Sequence, residues 1–320
     1  MQNPAFVFPG QGSQKVGMGL DAIGLRPDLI DTYYRTADEI LGLPLATLCW
    51  EGPEESLRDT SVTQPAVFLT SLVTLDVLRE RGVRPAVVAG HSLGEYTALV
   101  CAGVLDWTDA LRLVRRRGEL MAAVNAHVPG AMAAVLGLDL PRVEEICSEV
   151  RSETGRTVEV ANDNEPGQIV VSGTAPAVEL VMRAAESAGA RKAVALRVGA
   201  PFHCSLMAGI EEEFAAELAG VEFHDPQVPV VSTVTADHVR TAADAVACLR
   251  RQLVGRVHWT GAVRGMAAAG VDAFVEVGPG RVLGGLCRRI TPEIPVHATD
   301  DAARLAKTLT ALACAENAVV

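Results

Sequence analysis

The chain carries no surplus of basic charge. Its 28 Lys and Arg stand against 39 Asp and Glu in 320 residues, a formal net charge of −11, which argues against the basic face that nucleic-acid binding requires. The seven cysteines are odd in number and include no C-x-x-C pair, so reduced thiols in a cytosolic compartment are expected, with neither a disulfide framework nor a metal site. Met1 to Gln14 has no basic start followed by an apolar core, and no apolar run is read as long enough to span a membrane. A cytoplasmic protein without membrane contact is therefore expected. Internal repeats, low-complexity tracts and flexible linkers are also missing.

Two nucleotide-binding signatures are absent where they would be looked for first. The stretch FPGQGSQKVGMG, Phe8 to Gly19, follows the short apolar run Ala5 to Phe8, and a glycine-rich turn after a strand often cradles phosphate. Here Gly17 is followed by Met18 and Gly19 rather than by Lys and a hydroxyl residue, and G-x-G-x-x-G does not occur in the turn. The turn remains suited to offer backbone donors to some other developing negative charge.

What the chain does have is apolar material, 49% of its residues, enough for a substantial core. Apolar runs that read as buried strands, Ala5–Phe8, Ala86–Ala89, Val228–Ser232, Ala273–Val277 and one near Val296, alternate with helical patterns. That alternation predicts a parallel sheet covered by helices on both faces. Helices are expected over Asp28–Leu41, Thr108–Val124 and Asp301–Ala315, and a helix apolar all round, hence buried, over Ala66–Leu78. Between His127 and Gly199 the rhythm changes to strand (Ala131–Leu136), helix (Pro141–Arg151), strand (Val158–Ala161), strand (Ile169–Ser172), helix (Pro176–Ala188) and strand (Ala193–Val198). The order β-α-β-β-α-β is that of a ferredoxin-like layer. The expected division is a large α/β domain of residues 1–126 and 200–320 with a small inserted domain, 127–199, and a site in the cleft between them.

Chemistry is first suggested by AVVAGHSLGEYTAL. Gly90-His91-Ser92-Leu93-Gly94 is a G-x-S-x-G between an apolar strand and a helical run, the context of a nucleophile elbow, where flanking glycines leave room for a strained turn. Ser92 is the candidate nucleophile, against the plainer reading of a helix-capping serine. A base should follow it in the chain, and His203, His224, His238, His258 and His297 all qualify by order. His91 is adjacent, but its side chain should point elsewhere when the serine occupies the elbow. The oxyanion hole of such a site uses the N–H after the nucleophile, here Leu93, with a second from a neighbouring loop, for which the turn at Gln11 is suited.

Taken together, FPGQGSQ, GHSLGEY, RRRGELM, GAMAAVLGL, NDNEPGQIVVSG, PFHCSLM, RQLVGRVHW and EVGPGRVLGGL, in this order from Phe8 to Leu286, resemble the malonyl-CoA:acyl-carrier-protein transacylases. The resemblance implies an α/β-hydrolase-like large domain with a central parallel sheet, the inserted ferredoxin-like domain, and malonyl transfer to the phosphopantetheine thiol of an acyl carrier protein without a cofactor. It selects His203 as base, Gln11 and Leu93 as oxyanion donors and the Gln252 backbone carbonyl as the group orienting the histidine, a dyad without a carboxylate; nothing in the sequence alone excludes an acidic third member. Arg117, directly before Gly118 as in the family, would hold the free carboxylate of the malonyl group, leaving Arg115 and Arg116 as a solvated face. Phe202 and Leu93 match the malonyl pattern of related synthase domains. Many stand-alone relatives have serine where this chain has Phe202, which hints at polyketide duty. Asn162 and Asn164 would shape the cleft, with turn formation before Pro166-Gly167 as the other reading.

Three readings are thus set out: acyl transfer by a ping-pong route, an acyl hydrolase on the same fold, and a non-catalytic docking subunit. Arg117 speaks against the hydrolase and Ser92 with His203 against the docking subunit. A carrier protein is usually acidic, so some of Arg116, Arg250, Arg251, Arg288 and Arg289 are expected at the mouth of the site. A monomer is expected.

Overall fold

The structure, a computed structural model, describes residues 2–127, 129–198 and 200–313. Among the described residues eleven strands form two sheets: β1 (Pro4–Phe8), β2 (Val87–Gly90), β3 (Gly130–Leu136), β4 (Val158–Glu165), β5 (Gln168–Thr174), β6 (Lys192–Ala195), β7 (Val230–Ser232), β8 (Asp237–Val239), β9 (Val257–His258), β10 (Ala273–Glu276) and β11 (Val296–Ala298). The first sheet has the order β11-β10-β1-β2-β7-β8. Its first five strands are parallel, and β8 turns back antiparallel on β7. All five strands expected for this sheet are present; β8, with two of its three residues exposed, carries too little apolar pattern to be read.

Both faces of this sheet are covered, so its central strands β1 and β2 are apolar at every position rather than at alternate ones. Phe6, Phe8, Val88, Val230 and Val275 face the larger core. Ala5, Val7, Val87, Ala89, Val231 and Phe274 face a second cluster that includes Trp259, Val263 and Leu286. The helix Thr60–Glu80 runs through the larger core and extends the expected buried helix at both ends. By length and composition it could cross a membrane, contrary to the expectation that no run reached that length, but it is packed inside the fold. Pro65 interrupts its hydrogen-bond ladder, and the Ser61 carbonyl freed by it accepts from Arg115 Nη1 at 2.7 Å. Arg115 is therefore a structural contact rather than the solvated residue expected. Residues 28–41 are not one α-helix: a π-helical turn, Ile30–Arg35, precedes Thr36–Leu41. The C-terminal helix spans Ala302–Ala313; Cys314 and Ala315, included in the expected helix, lie outside the described residues. Six cysteines are described, all buried and unpaired.

The second sheet has the order β6-β3-β5-β4-β9. Neighbours among its first four strands are antiparallel, and the helices Leu140–Thr154 and Ala175–Ser187 pack on one face around a separate core of Val135, Val143, Ile146, Val171 and Val181. The fifth strand was not legible. β9 has two residues, comes from the far side of the chain, and pairs parallel with Asn162 and Asp163 of β4. Residues 128 and 199, near the expected boundaries, lie outside those described.

Where β1 and β2 end, glycine lets the turn after β1, the end of β2 and the following helix come into backbone contact. A Cβ on Gly90 would lie 1.9 Å from the Gly94 carbonyl carbon, one on Gly94 2.0 Å from the Phe8 carbonyl oxygen, and one on Gly10 2.5 Å from the His91 carbonyl oxygen. Each contact is with backbone, which cannot swing aside. Gly94→Ala is expected to destabilise the protein by about 3 kcal/mol or more, the range of severe overpacking. Urea denaturation measures this, and a shift below about 1 kcal/mol, the ordinary effect of a point substitution, would show that the corner yields.

Candidate active site

Ser92 occupies the turn between β2 and the helix Gly94–Cys101 with φ of 53°. A serine in this left-handed region is strained by about 1–3 kcal/mol and is held there by its surroundings. The turn presents Oγ at 2.8 Å from His203 Nε2. His203 is itself left-handed, φ 59°, in the loop after β6. Its Nδ1–H donates to the carbonyl oxygens of Gln252 at 2.9 Å and Gly255 at 3.1 Å. Carbonyls only accept, so the ring proton is on Nδ1, and Nε2 keeps its lone pair for the serine hydroxyl. Gln252 ends the helix Ala242–Gln252, where carbonyls are left without intrahelical partners and the macrodipole is negative. A helix end thus faces the ring, with no carboxylate hydrogen-bonded to it among the described residues.

Arg117 is 1% exposed. Nη1 donates to Gln64 Oε1 at 2.7 Å and Nη2 to Ser92 Oγ at 3.1 Å, while Nε has no partner among the described residues. The guanidinium carbon lies 5.8 Å from the Tyr96 ring centroid, a weak cation–π contact at most. No carboxylate lies within ion-pair distance among the described residues. The following glycine explains how the side chain arrives: a Cβ at Gly118 would be 2.6 Å from the Thr60 carbonyl oxygen, so the helix Trp107–His127 crosses the start of Thr60–Glu80 in direct backbone contact. Burial lowers the Arg117 pKa without approaching neutrality for a guanidinium.

These groups line one cavity of about 190 Å3 with Gln11, Leu93, Asn162, Asn164 and Phe202. The backbone N–H groups of Gln11 and Leu93 have no acceptor among the described residues. His91 also lines the cavity, with its ring engaged away from the serine hydroxyl: Nε2 bonds Asn164 Oδ1 at 2.9 Å and the ring packs on Trp259. Both asparagines lie in β4, ahead of the turn at Pro166-Gly167. The other candidate histidines, His224, His238, His258 and His297, do not line this cavity. Of the arginines expected at the mouth, none lines the cavity. Arg116 pairs with Glu119, Glu213 and Glu217, and Arg250 with Glu211 and Glu212, so Arg116 is not simply solvated either. Arg289 pairs with Glu165, whereas Arg251 and Arg288 have no ion pair among the described residues.

Sequence reasoning missed Gln64 and Glu95. Gln64 is a lone amide in a helix buried nearly all round, and Glu95 a lone acid in the apolar turn after Ser92; in both cases the signal was a polar residue where packing asks for none. It also missed the apolar wall supplied by Met121, Met132, Val170 and Leu286.

A serine hydroxyl at a strand–helix corner, an imidazole beside it and a buried cation against the hydroxyl form a constellation suited to acyl transfer on an α/β fold. The chain belongs to the acyl transferase domain family, whose model matches residues 5–295, and within it to the malonyl-CoA:acyl-carrier-protein transacylases. It is 43% identical over 307 residues to the malonyl CoA-acyl carrier protein transacylase of Escherichia coli K12, covering 95% of this chain and 98% of that one. The Bacillus subtilis transacylase is 41% identical over 301 residues, 94% of each chain. Among solved structures, a malonyl-transacylase in complex with its type II PKS acyl-carrier protein superposes with a TM-score of 0.93 at 41% identity, covering 97% of this chain and 100% of that one. The transacylase of Xanthomonas oryzae superposes equally, 0.93 at 42% identity, over 98% and 99%.

The histidine environment has a measurable consequence. Burial first, then the charge on Arg117 and the neighbouring His91, push the His203 pKa down from 6.5 to about 3. The ring therefore stays neutral, and able to accept a proton, well below the pH at which a solvated imidazole is half charged. The unfolded chain binds that proton near 6.5 and the folded one only near 3, so this group makes stability fall as pH drops through the interval. Acylation of Ser92, followed by rapid quench and mass measurement, should keep its rate as pH is lowered past 6.5. A rate that halves near that pH would contradict the buried, neutral ring.

Proposed function

We propose that the enzyme moves a malonyl group from malonyl-CoA to the phosphopantetheine thiol of an acyl carrier protein by a ping-pong route. The observation that carries the reading is Arg117, a buried cation beside the reactive hydroxyl with no ion-pair partner among the described residues. Such a charge is costly unless an anion meets it, and the distal carboxylate of a malonyl thioester is an anion of the right reach. Ser92 Oγ attacks the thioester carbonyl while His203 Nε2 takes its proton. The carbonyl oxygen, now an oxyanion, receives the N–H groups of Gln11 and Leu93. Collapse breaks the C–S bond, CoA leaves with the proton from His203, and a malonyl ester remains on Ser92. In the second half the carrier thiol gives its proton to His203 and attacks the ester, and Ser92 recovers its hydrogen. The helix end at Gln252 and Gly255 stabilises the transient imidazolium in place of a carboxylate.

Charge couples substrate choice to base strength. Arg117 depresses the His203 pKa; a bound carboxylate cancels that field, so the substrate that fits also makes its base stronger. A neutral acyl group leaves the guanidinium unanswered, and the same argument disfavours hydrolysis of neutral acyl chains. Phe202 and Leu93 narrow the cavity toward the unbranched malonyl unit, and Asn162 and Asn164 shape its wall. The division into a hydrolase-like large domain, residues 1–126 and 200–320, and a ferredoxin-like insertion, 127–199, is supported by the parallel order of one sheet and the antiparallel order of the other, with β9 as the strand that ties them together. The proposed working unit is a cytoplasmic monomer without metal or organic cofactor, since one chain carries every group the two half-reactions use.

Arg288 is the basic residue best placed for the carrier. It is exposed and without an ion pair among the described residues, on the helix Val282–Ile290 whose Val282, Leu283 and Leu286 line the cavity. Two measurements follow. Arg117→Met should slow malonyl-ester formation at Ser92 by about 100-fold or more, the loss of roughly 3 kcal/mol that a buried charge-assisted pair provides, while acetyl transfer falls far less; intact-protein mass spectrometry with each CoA reads both, and parallel losses would reject the anchor. Arg288→Glu should raise the half-saturating carrier concentration severalfold and leave ester formation from malonyl-CoA unchanged; unaltered carrier kinetics would remove Arg288 from the docking face.

A further inference from the structure

Glu95 lies in the first turn of the helix that follows Ser92 and is 0% exposed. Its carboxylate accepts from Ser232 Oγ at 2.5 Å, Thr233 Oγ1 at 3.2 Å and Gln252 Nε2 at 2.9 Å. Burial raises its pKa, and the three donors oppose that rise. A buried carboxylate is a poor way to stabilise a core, because an apolar side chain of the same volume often serves as well or better. The position is thus better explained by what the carboxylate holds.

It holds Gln252. The side-chain amide of that residue spends both protons, one on Glu95 Oε2 and one on the backbone carbonyl of Ser92 at 3.1 Å. Its backbone carbonyl is the acceptor for His203 Nδ1. One residue therefore ties the backbone of the hydroxyl-bearing residue to the ring that faces the hydroxyl, and Glu95 is the group that sets the direction of its amide. Glu95 is also the carboxylate whose charge acts on Arg117 across this corner.

We propose that Glu95 is a positioning residue for the transfer reaction: through the Gln252 amide it holds the Ser92 carbonyl and the carbonyl that orients His203 in register with each other. The acidic member missing from the histidine is present one residue further out. This rests on Ser92 and His203 acting as nucleophile and base, and the test separates the two claims.

Single-turnover acylation of the full-length enzyme by malonyl-CoA gives a maximal rate and a half-saturating concentration. Glu95→Met, which keeps volume but accepts no hydrogen bond, should lower the maximal rate about 10- to 100-fold, the scale of a small misplacement of reacting groups, with half-saturation changed less than about twofold. Glu95→Gln can still accept from Gln252 through Oε1 and should restore most of the rate. Gln252→Leu should match Glu95→Met, and the double variant should be no slower than Gln252→Leu alone, since both remove one linkage. An undiminished rate in Glu95→Met, no rescue by Glu95→Gln, or losses that multiply in the double variant would each overturn the proposal. Should Glu95→Met not fold, Ser232→Ala with Thr233→Val loosens the same carboxylate and should slow acylation at unchanged half-saturation; an unchanged rate overturns the proposal. Ser92→Ala separates the claims: if it abolishes the ester while Glu95→Met acylates normally, only the role of Glu95 fails, and if it still forms the ester, the reading of the site fails and this proposal with it.

Discussion

The left-handed corner at Ser92 is the constraint on which the rest of the site depends. Gly10, Gly90 and Gly94 have no room for a Cβ, and the absence of one lets the turn after β1, the end of β2 and the following helix pass within contact of one another around the strained serine. The strain is offset by the core packed beneath, where Phe8, Val88 and Tyr96 are fully buried. The approach has a second result: it brings the Gln11 loop beside the serine, so two backbone N–H groups without acceptors share a cavity with the hydroxyl. In the proposed reaction, a glycine-rich turn that lacks the residues to hold phosphate serves the oxyanion instead.

Electrostatics in the cavity are arranged by backbone dipoles and one buried guanidinium, with no carboxylate hydrogen-bonded to the histidine among the described residues. A helix end receives the histidine proton, burial keeps the ring neutral, and the guanidinium of Arg117 waits on Gln64 and the serine hydroxyl. In the proposed reaction the anionic acyl group is the partner of this guanidinium, which ties selectivity and reactivity to the same contact. Glu95 and Gln252 lie behind that surface and join its two halves.

The second sheet matters to the site because it is not independent of the first. β9 carries the chain from the helix end that faces His203 into the sheet that supplies Asn162 and Asn164. Asn164 then reaches back to His91, next to the nucleophile. The cavity wall and the catalytic corner are thus held by the same few hydrogen bonds, so motion of one sheet against the other would be felt at the cleft.

The amino-acid sequence by itself determined the parallel strands, the buried helix, the β-α-β-β-α-β layer and the corner residue, because each is encoded in a local period or a short run of residues with fixed steric demands. Its motifs also carried the family resemblance that picked out His203, Gln252 and Arg117. What only the tertiary structure decided was the partnership: which of the five candidate histidines meets Ser92, which of three consecutive arginines reaches the serine hydroxyl, and that Gln64 and Glu95 hold a guanidinium and an amide in place. β9 and β8 were also invisible, since a strand of two or three residues has no period to read. Pairings across 50 to 160 residues are made by the packing of helices and sheets that approach closely only at particular glycines, and no local pattern records which side chains that approach brings face to face.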